Sequence, residues 1–332
     1  MTNLFRGAPA VAYALHTAGH PAYRAALATL DHSIIALVRG LLGRAHSRID
    51  AGQLPQAREY DLVNGLTGLG TYLMHRYRDH ELLRDILSYL TRLTEPVRTG
   101  GETLPGWWAT GSPDRRRSPR WEDGHAGFGM AHGIVGPLAL LSTTMLRGII
   151  VTGHTDAIGA ICAWLDRWRA GRGRQAWWPE VIGRDELRTL TVVCPGPGRP
   201  SWCYGTPGIA WAQQLASRAL SDTRRADIAE QALVGCLTDE HQLARIADAG
   251  LCHGWAGLAY IAQRATADVV NGDLVTAANV VIGRMRSHIR EHDVLADDGF
   301  LEGAAGVELV DRTSDRPASP TGARWDTCLL LG

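Results

Sequence analysis

The sequence predicts an all-α protein built as an inner ring of helices inside an outer ring, and three observations carry that prediction. A Gly-x-x-Gly pair followed by a nearly continuous apolar run recurs along the chain. Between those runs lie segments whose charges fall on one face. Strand signals, by contrast, are few. Helices that are apolar all round belong inside and amphipathic ones outside, and a helical array that closes on itself has no exposed apolar end.

The first element is a degenerate repeat in which Gly7 has Ala10 as its second member, and Ala22 to Ile49 follows as the first amphipathic helix. Gly65 and Gly68 open the second inner helix, ahead of amphipathic Leu82 to Leu93. A first long insertion, about 95–130, then carries Trp107, Trp108, the run Arg115 to Arg117, Gly124 and His125. It leads into Gly133 and Gly136, whose apolar run is followed by Thr155 to Arg169. A second insertion, about 171–202, carries Trp177, Trp178 and the Pro/Gly-rich Cys194 to Pro200. Gly205 and Gly208 precede Ile209-Ala210-Trp211-Ala212 and the amphipathic Arg224 to Leu237. Gly254 and Gly257 precede Leu258-Ala259-Tyr260-Ile261 and then Leu274 to Ile289. Gly303 and Gly306 open the last copy.

The pattern reads as inner helix then outer helix, six times over, in one domain spanning 1–332. Insertions of this length within a compact domain are usually functional or disordered. Their tryptophans favour ordered lids, and both lead into a repeat, so they are expected to cover the face on which the motifs open.

Composition narrows the function. With 45% hydrophobic and 20% charged residues the chain is globular. A formal net charge of zero gives no reason to expect a nucleic acid or an anionic membrane as partner. No lysine is present, which excludes a Schiff base, a P-loop or any lysine-centred mechanism. The most apolar stretch, about 133–151, contains Pro137 and Arg147 and reads as a buried helix and its exit, not a membrane span. The N-terminus lacks a signal segment, and six cysteines are too sparse for a disulfide scaffold. A reducing cytoplasm is the expected compartment.

Aligning the repeats on their first glycine exposes the chemistry. The residue just before it is Arg6, Asn64, His132, Tyr204, His253 or Glu302, polar in every copy. In a ring of inner helices these positions converge on one mouth, at helix N-termini whose dipoles favour anions. The glycines themselves are explained by close helix packing. Two residues before the first glycine stand Cys203 and Cys252, and His253 follows the second directly. Two thiolates and one imidazole make a zinc site lacking a fourth protein ligand, which points to catalysis. Cys162, Cys194, Cys236 and Cys328 lack the register, and Cys194 is the one rival ligand. Such a site is formally neutral. It would take an incoming thiol as thiolate and activate it for attack on an electrophile, because a coordinating thiol loses its proton. A toroidal glycosidase would need paired carboxylates at the mouth, where only Asp61 and Glu302 are available.

Taken together, Trp202-Cys203-Tyr204-Gly205, Cys252-His253-Gly254, Ala131-His132-Gly133-Ile134-Val135-Gly136-Pro137, Tyr60-Asp61-Leu62-Val63-Asn64-Gly65 and Phe300-Leu301-Glu302-Gly303 resemble the lanthionine synthetase C-like cyclases of class I lanthipeptide biosynthesis. The resemblance covers essentially the whole chain. It implies an α/α toroid and a zinc-dependent enzyme that forms lanthionine and methyllanthionine rings. The implied reaction is Michael addition of cysteine thiols to dehydroalanine or dehydrobutyrine in a dehydrated precursor peptide.

It further implies that Cys203, Cys252 and His253 bind one zinc ion per chain, that His132 transfers the proton, and that Asp61, Arg199 and Tyr204 lie near the metal. Arg199 would stabilise charge on the amide oxygen or pair with an acid. Asp61 would orient His132 or a substrate amide, or cap a helix. Tyr204 could simply pack. Implied partners are a dehydratase and an export transporter, with the protein cytoplasmic or peripheral to a membrane biosynthetic complex. The chain departs from the family in entering its first repeat at Gly7 and showing six repeats against seven hairpins, which a toroid shortened at its N-terminus or a start site assigned too late would explain equally well. Two other readings stand beside the cyclase: an idle scaffold that binds leader peptide or dehydratase, and a relative that adds glutathione to dehydrated residues.

Overall fold

The computed structural model describes residues 2–114, 116, 118–267, 269, 272–292, 297–313 and 324–332. Arg115 and Arg117 of the predicted arginine run therefore lie outside the described residues. Among the described residues six inner helices follow the degenerate copy at Gly7 and the five glycine pairs: Ala8–Ala18, Leu66–Arg76, Val135–Leu146, Thr206–Leu220, Trp255–Ala265 and Ala304–Thr313. Alternating with them are five outer helices, Arg24–Asp50, Glu81–Leu93, His154–Trp168, Thr223–Thr238 and Gly272–Glu291. Each outer helix packs on the inner helix before it, and successive inner helices pack on one another round the ring.

The burial follows the residue pattern. Leu66 to Met74 and Val135 to Thr144 are buried on every side, whereas the outer helix Glu81–Leu93 buries Leu82, Leu83, Ile86, Leu87, Leu90 and Leu93 along a single stripe. The glycine pairs are explained by close approach of backbone. A Cβ on the second glycine of a pair would fall 2.1 Å from the Leu62 carbonyl oxygen at Gly68, 2.4 Å from that of Trp202 at Gly208 and 2.0 Å from that of Leu251 at Gly257. Each of these carbonyls lies six residues upstream. No side chain fits there, so the loop folds flat over the start of its helix.

The residues two before the first glycine are stitched together by backbone hydrogen bonds. Val63 N–H donates to the Ala131 carbonyl (3.3 Å), Ala131 to Cys203 (3.3 Å), Cys203 to Cys252 (3.2 Å) and Cys252 to Leu301 (2.7 Å). Equal register in sequence thus becomes adjacency in space. At the same rim Phe5 and Phe300 stack with centroids 6.4 Å apart, so the loops ahead of the first and last inner helices meet.

The alternation ends differently from the six pairs predicted. Among the described residues no outer helix follows Ala304–Thr313, and the chain ends in a 3₁₀ turn, Trp325–Leu329, held by the inner helices. The Tyr13 hydroxyl donates to the Arg324 carbonyl (2.8 Å), the Trp211 indole N–H to the Leu330 carbonyl (2.8 Å) and Arg264 Nε to the Leu331 carbonyl (2.7 Å). Asp326, buried, accepts from the Tyr260 hydroxyl (2.7 Å) and pairs with Arg324 (2.6 Å). A buried carboxylate is retained only where it is paired in this way.

The two insertions join each other. Strand His125–Gly127 of the first pairs antiparallel with Val181–Gly183 of the second. Trp107, Trp108 and Trp178 are buried, the Trp108 indole donating to the Asp123 carbonyl and that of Trp178 to the Leu165 carbonyl, both at 2.8 Å. The one described helical stretch long and apolar enough to cross a membrane is 21–50. There Leu27, Ile34, Val38 and Leu42 are buried in the packing against neighbouring helices, and the buried Asp31 accepts from Arg76 at 2.9 Å.

Candidate metal centre

Cys203 sits in the loop that opens the fourth inner helix, and Cys252 and His253 in the loop that opens the fifth. Because the two cysteines are neighbours in the rim of backbone bonds, their side chains emerge side by side. The ligand atoms of Cys203, Cys252 and His253 all lie within 4.8 Å of one another. Cys203 is buried while Cys252 and His253 are half-buried, so the trio opens on one side.

The electrostatics fit a cation at this point. The Cys203 thiol is held well below the usual thiol range, first by the hydrogen bond from Cys252 and then by those from His253 and Ser201. That bond to Cys203 pushes Cys252 up, and His253 is raised by its hydrogen bond to the Cys203 sulfur. A bound divalent cation would favour the ionised form of both thiols. Two sulfurs and an imidazole suit a thiophilic ion. Arg199 is near enough for its charge to act on Cys252 and His253.

The remaining cysteines stand apart. Cys194, the rival ligand, is exposed and its thiol donates to the Gly196 carbonyl at 3.0 Å. Burial raises the thiols of Cys236 and Cys328 and pushes that of Cys162 up to about 11. None of them joins the trio.

His132 opens the third inner helix, and Asp61 Oδ2 lies 2.8 Å from its Nδ1. The Asp61 side chain is 2% exposed and that of His132 41%, so a buried carboxylate holds an accessible imidazole. The Asp61 Oδ1 atom accepts from the Gly65 N–H at 3.0 Å, and Asn64 Nδ2 lies 3.2 Å from Oδ2. Of the two roles the sequence left as alternatives, Asp61 holds His132; no side chain caps the second inner helix, and the Asp61 bond to Gly65 belongs to the turn ahead of it. The Tyr204 ring is 6.4 Å from that of His132, and burial beside Cys203 and Asp61 raises its phenol, which stays protonated.

His132, Tyr204, Cys203 and Cys252 share a cavity of about 1050 Å³ with Arg6, Asn64 and Glu302. Residues 110–114 and His125 of the first insertion enclose a smaller cavity of about 370 Å³ against Asp61, His132 and Tyr204. The register residues thus converge on one mouth. His253 instead turns its Nε2 toward Asp248, 3.5 Å from Oδ2.

Two neighbours of the site escaped the sequence reading. Glu180, in the second insertion, has its carboxyl raised by desolvation and by the nearby Cys203 sulfur. Asp248 is the other, and extending the repeat alignment upstream would have found it: Asp248-Ala249-Gly250 stands ahead of Gly254 as Asp297-Asp298-Gly299 stands ahead of Gly303.

A family model described as lanthionine synthetase C-like protein matches residues 1–330. A curated relative, the nisin biosynthesis protein NisC of Lactococcus lactis subsp. lactis, is 26% identical over 281 residues, 82% of this chain and 64% of the relative. The chain thus spans just under two thirds of that relative's length. Among solved structures, nisin cyclase superposes with a TM-score of 0.81 at 22% identity, over 99% of this chain and 80% of the other.

Proposed function

The chain belongs to the lanthionine synthetase C-like family, and from that premise we propose that it is a cyclase forming thioether rings in a dehydrated precursor peptide. One observation carries the proposal: Cys203 and Cys252, the two sulfurs of the cluster they form with His253, share a single cavity with His132, whose ring Asp61 holds from behind. Nucleophile activation and proton transfer, the two needs of a Michael addition, are then met within one site. The names of the relatives, a nisin biosynthesis protein and a nisin cyclase, support the same reading.

In this proposal a peptide cysteine, ionised, forms a new C–S bond to the β-carbon of dehydroalanine or dehydrobutyrine. The double-bond electrons move toward the amide oxygen, and a proton is then delivered to the α-carbon. Zinc held by Cys203, Cys252 and His253 would supply the setting in which that cysteine ionises at neutral pH. His132 takes up the thiol proton at Nε2 and returns it to the α-carbon, since Nδ1 is engaged by Asp61. Asp61 fixes the ring and balances its positive charge. Arg199 offsets charge on the amide oxygen, and Tyr204, neutral and half-buried, shapes the wall beside His132. The paired insertions serve as lids over the His132 side, and a dehydratase that supplies the substrate and a transporter that takes the product are the expected partners.

The test is to incubate the zinc-loaded protein with a dehydrated precursor peptide and count free thiols. Loss of thiols without change of peptide mass supports cyclisation. Addition of glutathione mass, or thiols that persist, contradicts it.

A further inference from the structure

We propose that Asp248 is a positioning residue for the metal centre, holding the His253 ring so that its Nδ1 meets the cation. This rests on the zinc reading above. Asp248 Oδ2 stands 3.5 Å from His253 Nε2. Histidines that bind metals nearly always give their other ring N–H to a carboxylate, carbonyl or water, which fixes the tautomer and raises ligand basicity. Asp248 is the carboxylate beside that nitrogen.

The repeats supply an internal control. Asp248 Oδ1 accepts from the Gly250 N–H at 2.7 Å, and Asp297 Oδ1 accepts from the Gly299 N–H at 2.8 Å. Both aspartates thus make the same turn ahead of their glycine pair. The residue before the first glycine is His253 in one repeat and Glu302 in the other. A turn is needed in both, but only Asp248 has an imidazole to orient. Backbone geometry reinforces the contact: a Cβ at Gly254 would lie 2.3 Å from Asp248 Oδ1, so the carboxylate is pressed against the segment that carries His253.

The experiment compares zinc affinity, by competition with a chromogenic chelator, in the full chain and in Asp248→Asn and Asp297→Asn. Asparagine keeps an oxygen for the turn and loses the carboxylate charge. Asp248→Asn is expected to weaken zinc binding about 10–100-fold, with the melting temperature of the chelator-stripped protein unchanged, and Asp297→Asn to bind as wild type. Zinc affinity retained in Asp248→Asn overturns the assignment while leaving the metal site standing. Equal losses in both variants overturn it in favour of a turn effect. Wild type without zinc overturns the metal reading and this assignment together.

Discussion

The backbone N–H of Cys203 donates to the carbonyl of Cys252 at 3.2 Å, and this bond brings residues 49 positions apart in the chain together in one candidate metal site. The bond belongs to a rim that runs from Val63 through Ala131, Cys203 and Cys252 to Leu301. Any two side chains at this register in successive repeats are neighbours. Sulfur in two adjacent copies makes a chelating pair.

His132→Ala should retain zinc and lose cyclisation rate by about 10²–10⁴-fold, the range for a positioned acid. Asp61→Asn separates the two contacts of Asp61, because asparagine still offers an oxygen to the Gly65 N–H but carries no charge to set against His132. Its melting temperature should hold while its rate falls. Wild-type activity in Asp61→Asn would reduce Asp61 to a turn residue.

Gly68→Ala should destabilise by about 1–3 kcal/mol, the usual cost of overpacking, because the new Cβ would meet the Leu62 carbonyl oxygen at 2.1 Å. Gly159→Ala, in the outer helix His154–Trp168, meets nothing within 4 Å. It should stabilise by roughly 0.5–1 kcal/mol through helix propensity. Denaturant titration of both variants checks the contrast, and equal effects would contradict the packing account of the glycine pairs.

Asp326→Ala should cost about 3–5 kcal/mol, as expected when one partner of a buried ion pair is removed. It strands Arg324 and leaves the Tyr260 hydroxyl without its acceptor. A thermal melt within a degree or so of wild type would show that the C-terminal turn contributes little to the ring.

Acid should weaken the fold partly through His75. Burial depresses its pKa from 6.5 to about 3, and the ring stacks on Tyr13 at 4.1 Å. The folded protein keeps it neutral while the unfolded chain protonates it. Its contribution is therefore present in full above pH 6.5 and is lost as pH falls toward 3. His75→Gln should flatten the dependence of unfolding free energy on pH across that window; an unchanged slope contradicts the assignment.

Much of the architecture was legible because glycine and apolar periodicity report directly on packing. The five outer helices lie close to the amphipathic segments, and each inner helix follows its glycine pair. The end of the chain was not legible, since Trp325–Leu329 has no helical period and is held by long-range bonds from Tyr13, Trp202 and Trp211. Nor was the pairing of the two insertions, where strands of three residues give alternation no length to register. In the site, the register located Cys203, Cys252, His253 and His132 because a repeat marks equivalent positions. Asp248 lies six residues ahead of its first glycine, upstream of the aligned positions, and Glu180 reaches the site by loop placement, which carries no period.

The central claim is that Cys203, Cys252 and His253 together bind one metal ion, and the direct measurement is zinc per chain by elemental analysis of the purified protein. The account predicts about one equivalent in wild type and in Cys194→Ala, and its loss in Cys203→Ala and in Cys252→Ala. Wild type free of zinc after purification with zinc present, or Cys203→Ala retaining a full equivalent, would contradict it.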